Sequence, residues 1–130
     1  MADNRVHSIT LRFQGNDLDP PAISATLGVA PTRLGKMSDP GVKTGHWAIK
    51  ESWEFAGDPE ELGKFSPRIL GLLSSLTPDL PAWRLLAQRF GGDVLCSASI
   101  SYRASALFLT TEAMAALSER GLSLSFVARE

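Results

Sequence analysis

The chain has few of the residues that carry metal or covalent chemistry. Its 130 residues include one cysteine and two histidines, so the clustered Cys and His ligands of a zinc site are missing, and no metal or cofactor is expected. Cys96 cannot form an internal disulfide. It shares alternation parity with Val94, Ala98 and Ile100, and this places it on an inward face as a structural thiol. No apolar run approaches the roughly 18 residues that span a bilayer. An excess of one charge is also missing: 13 Lys and Arg stand against 14 Asp and Glu, a net charge of -1. Neither nucleic acid nor anionic lipid would be strongly attracted. Met1 to Ser8 lack the charged-then-apolar layout of a secretory signal, so the cytoplasm is the expected location.

What is present reads as one α+β domain over residues 1–130. Apolar residues at 44% and charged residues at 21% are ordinary globular values and exclude a disordered chain. His7, Ile9, Leu11 and Phe13 alternate with Val6, Ser8, Thr10 and Arg12 as a first strand. Gly15-Asn16-Asp17 ends it, and Asp19 caps a short helix over Ala22 to Leu27, which stops at Gly28. Val29 to Gly45 lacks sustained periodicity and reads as a long exposed excursion. A second strand follows, with Trp47, Ile49, Trp53 and Phe55 on one face and only Glu51 breaking the pattern.

Asp58-Pro59-Glu60-Glu61 has the composition of a helix start. Leu62, Phe65, Ile69, Leu72, Leu73 and Leu76 continue it as an apolar stripe, with Pro67 predicting a kink or restart at Ser66. A further helix is expected from about Pro81 to Phe90, placing Trp83, Leu86 and Phe90 together and ending at Gly91-Gly92. The last third reads as a strand over Val94 to Tyr102, a strand fragment over Ala106 to Leu109, a helix over Thr111 to Arg120 and a strand over Leu122 to Val127. This order suggests a largely antiparallel sheet with helices on one face. The expected version is a ferredoxin-like core with two helices inserted between its second and third strands.

Reaction motifs are largely excluded. Gly28 to Gly35-Lys36 fails as a P-loop: its glycines are seven apart, and Met37 stands where Ser or Thr must reach magnesium. Neither a nucleophile elbow nor a dinucleotide fingerprint occurs. His7 sits on an apolar face and reads as a partly buried histidine with a backbone or water partner. Asp17 and Asp19 read as turn and cap residues, and Trp47 and Trp53 read as core. The candidate binding residues are therefore the polar groups of the excursion and its end: Arg33, Lys36, Lys43 and His46, with Lys50 beside them. Long irregular loops on a rigid scaffold often carry function.

Gly15 to Pro20, Ile23, Leu27-Gly28-Val29, Pro31-Thr32-Arg33 and Gly45-x-Trp47 together resemble the bacterial domain-of-unknown-function family 4279. The similarity continues through the Leu-rich helix and Leu109-Thr110-Thr111-Glu112. The resemblance implies no established activity, and it fits an interaction or immunity-type protein at least as well as an enzyme. The family tends to place an acidic residue in its last strand, where this chain has Ser125-Phe126-Val127-Ala128. Three functional expectations follow. The first is a non-catalytic binding module whose partner, a protein or a small ligand, meets Arg33 to His46 and the neighbouring sheet edge. The second is a ligand-sensing domain, and the third a small enzyme using His46 with Asp17 or Asp19 as acid and base. An exposed sheet edge also makes a homodimer reasonable.

Overall fold

A computed structural model describes residues 6–15, 18–35, 45–54, 64–99 and 108–129. In chain order the elements are β1 (Val6–Gly15), α1 (Pro20–Leu27), β2 (Arg33–Gly35), β3 (Gly45–Glu54), α2 (Phe65–Ser74), α3 (Leu80–Phe90), β4 (Asp93–Ser99), α4 (Thr111–Glu119) and β5 (Ser123–Arg129). The strands form a sheet in the order β2-β3-β1-β4-β5. Three of its pairings are antiparallel, and β4–β5 is parallel. The chain is thus an α+β domain with a mixed, mostly antiparallel sheet of four long strands and a three-residue β2.

Strand alternation decides which face is covered. Ile9, Leu11 and Phe13 of β1 pair with or neighbour Ile49 and Trp47 of β3 and Cys96 and Val94 of β4. All of these are buried in one core with Ile23 and Leu27 of α1, Ile69 and Leu73 of α2, Trp83 and Phe90 of α3 and Leu117 of α4. The helices therefore share one face, as expected from the patterning. The other face carries Thr10, Arg12, Lys50, Ser52, Asp93, Leu95, Ser97 and Ser125 by register.

The ferredoxin-like core expected from the element order would interleave two βαβ units. Among the described residues one such unit is seen, β4–α4–β5, whose strands are direct neighbours, while β1 lies between two antiparallel partners. The chain passes from α1 through β2 into β3, which pairs antiparallel beside β1.

Local sequence explains most boundaries. Asp19, Asp79 and Thr110 cap α1, α3 and α4, their side chains accepting from Ala22 N, Ala82 N and Ala113 N at 3.2 Å each. Gly28 and Gly91 end α1 and α3 in the left-handed conformation, which costs glycine little. α2 begins at Phe65, which puts Pro67 within the first turn, where its missing N–H has no intrahelical acceptor to lose. The Asp58 to Glu61 helix start and residues 100–107 lie outside the described residues. Phe108 and Leu109 are irregular, where part of a strand fragment was expected.

Candidate interaction site

Of the candidate residues, Arg33, His46 and Lys50 lie on the paired strands β2 and β3. His46 is exposed on β3, opposite Gln14 and Gly35, and Arg33 lies at the register position of Ala48. Lys50 is exposed two residues beyond Ala48. Lys36, Lys43 and Asp17 lie outside the described residues. Asp19 is engaged as the α1 cap.

Signature residues in this region act as fasteners. Thr32 N and Oγ1 both donate to Ala48 O, and Thr32 Oγ1 accepts from Lys50 N at 2.8 Å. Trp47 is fully buried, and its Nε1 donates to Ser24 Oγ of α1 at 3.0 Å. Pro31-Thr32 and Trp47 thereby dock the excursion and α1 onto β3.

On the uncovered face, Arg12 and Asp93 form a bidentate ion pair between β1 and β4, and Ser125 of β5 donates to the same carboxylate at 2.9 Å. Hydrogen bonding to Asp93 holds the Arg12 guanidinium above its usual pKa, against the smaller opposing effect of burial. This cluster laces three strands together. Inside the core, burial pushes the Cys96 thiol up to about 11, so it is neutral and shielded at ordinary pH. His7 is buried edge-on to Phe65 and tilted against Trp53, with ring centroids 5.4 and 5.8 Å away. Trp53 is only partly buried, with the Arg68 guanidinium over its ring.

The opposite edge presents a different surface. α4 leans toward α2, burying Ala113 and Leu117 but leaving Met114 49% exposed. An open groove of about 440 Å³ results, lined by Leu109, Met114, Leu117, Leu122, Leu124 and neighbouring small residues. Beside it, β5 is the last strand of the sheet among the described residues and leaves Leu124, Phe126 and Val127 between 38% and 44% exposed. By sequence, Leu124 and Phe126 share one face of the last strand, and Ser125 to Ala128 stand out only as a departure from the family pattern. The available signal was Phe126-Val127-Ala128, three successive apolar residues where a half-buried strand should alternate.

A family model described as Domain of unknown function (DUF4279) matches residues 4–129, nearly the whole chain. The chain belongs to this family. The resemblance seen in the short signatures is therefore confirmed across the DUF4279 domain, and two of the signature residues, Thr32 and Trp47, dock β2 and α1 onto β3. No curated protein and no solved structure matches the chain. Among the described residues no helix is long and apolar enough to cross a membrane.

Proposed function

We propose that this chain is a non-catalytic interaction module that adds an extended protein segment to the edge of β5 that no described strand pairs, with the α4–β5 groove receiving apolar side chains. The supporting observation is the coincidence of an apolar groove with an edge strand that carries no charge from Ser123 to Ala128. Strand addition draws affinity from main-chain hydrogen bonds and specificity from pockets for alternate side chains. Edge strands that must stay solitary are usually protected by charge, proline or brevity, as three-residue β2 is at the other edge. This reading moves the contact surface from Arg33–His46 to the far side of the sheet.

The test is fluorescence anisotropy with the protein at nanomolar concentration and labelled heptapeptides of alternating apolar and polar residues. Saturable binding that weakens at least tenfold in Leu124→Lys, and is unchanged in Arg33→Glu, is the expected result. Peptide affinity lost in Arg33→Glu but kept in Leu124→Lys would return the contact to the basic edge. Melting-temperature shifts with small apolar ligands, without any peptide binding, would favour a ligand-sensing domain.

A further inference from the structure

We infer that the strand added at this edge is β5 of a second copy of the chain, paired antiparallel about a two-fold axis at Phe126. The inference rests on the strand-addition reading above and names its partner.

Charge is the first argument. Ser123 to Ala128 is uncharged, and the chain as a whole carries only -1, so two copies meet at this edge without the repulsion that lysine or glutamate would impose. A surface recognising an unlike partner through charge would need residues of one sign here, and the six positions supply none.

Register is the second. Antiparallel pairing centred on Phe126 sets Phe126 opposite Phe126, Leu124 opposite Ala128, Ser125 opposite Val127 and Ser123 opposite Arg129. The seven residues of β5 are all used. The sole charged position, Arg129, falls at opposite ends of the pair, whereas parallel pairing would bring the two together. Side-chain parity is kept as well. Leu124 and Phe126 share the helix-side face with Val94 and Cys96, their partners on β4, so the apolar residues of both copies gather on that face. Aromatic cross-strand pairs are among the stronger contacts of an antiparallel ladder.

Continuity is the third argument. The groove between α4 and β5 opens along this same edge, with Leu124 belonging to both. Met114 and Leu124 of each copy would therefore flank the paired strands, extending contact beyond a backbone ladder alone. The arrangement is isologous, since every contact occurs twice, and it closes at two copies.

Sedimentation velocity from low micromolar to several hundred micromolar protein tests the inference. The expected result is a concentration-dependent rise from 14.0 kDa toward twice that mass, abolished by Phe126→Lys, which sets like charges opposite each other. A Phe126→Cys variant locates the contact independently, because Cys96 is buried and leaves the new thiol as the accessible one. With oxidised glutathione as oxidant it should give a disulfide-linked dimer on a non-reducing gel. Leu85→Cys, on the exposed side of α3, should not.

If Phe126→Lys fails to fold by circular dichroism, the cysteine pair of variants decides. Wild-type protein that stays at 14.0 kDa throughout would overturn the inference. So would a dimer that Phe126→Cys cannot cross-link, since its interface would lie elsewhere. A monomer that still binds heptapeptides at the β5 edge would overturn the second copy alone and leave strand addition standing. A monomer that binds none would remove both.

Discussion

Single residues illustrate how closely this core is packed. A Cβ added at Gly92 would lie 2.7 Å from both Leu122 Cδ2 and Phe13 Cε1, inside van der Waals contact. Gly92→Ala is therefore expected to destabilise the chain by about 1–3 kcal/mol, the range for overpacking a well-filled site, measured by urea denaturation. Sequence reading used Gly91-Gly92 only as a helix stop. That was correct for Gly91, the left-handed cap of α3. Gly92 has its role through Phe13 and Leu122, which are distant in sequence, so no local pattern could reveal it.

Cys96 gives a second prediction at this scale. Burial raises its pKa from 9.0 to about 11 in the folded chain, so the unfolded chain holds fewer protons between those values. Its contribution to stability is complete below pH 9.0 and is lost as pH rises toward about 11. Melting temperature should fall over that window, and fall less steeply in Cys96→Ala. A thiol-reactive probe at pH 8 should label Cys96 only after unfolding.

Elements in this fold are held together by side chains that reach backbone groups of their neighbours. Ser66, buried at the start of α2, accepts from Thr110 N at 2.9 Å and so ties α2 to the cap of α4. Ser66→Ala leaves that N–H without its acceptor, and a loss of about 1–3 kcal/mol is expected by urea or thermal denaturation. Asp79→Ala, which removes the exposed cap of α3, should cost about 1 kcal/mol. The two variants differ in legibility. Asp79 precedes Leu80-Pro81 and is the first candidate cap before a helical stripe. Ser66 stands next to a proline and reads as a break, and its partner is 44 positions away. The β2 pairing was missed for a related reason: Thr32 joins β3 through its hydroxyl and backbone together, within a stretch that shows no periodicity.

At the scale of the whole molecule the two ends of the sheet are unlike. One end is the three-residue β2, beside exposed His46 and Lys50; the other is seven-residue β5 with its apolar groove. If β5 pairs with a second copy, folding and association are linked by mass action. The melting temperature of wild-type protein should then rise by several degrees between about 1 and 100 μM, as expected when association adds 1–2 kcal/mol to a domain of this size. Phe126→Lys should show no such dependence in differential scanning calorimetry.

The sequence alone carries the family, the α+β class, most helix and strand positions, the Asp19, Gly28 and Gly91 caps and the inward placement of Cys96 and Trp47. All of these depend on local spacing: a period near two or near 3.6, a cap, a glycine. Only the tertiary structure decided the strand order, the parallel β4–β5 pair, the Arg12–Asp93–Ser125 lacing and the partial exposure of Leu124 and Phe126. Alternation states which residues share a face of a strand. Whether a helix then covers that face depends on where distant segments pack, and here α4 packs toward α2 and leaves the edge of β5 open.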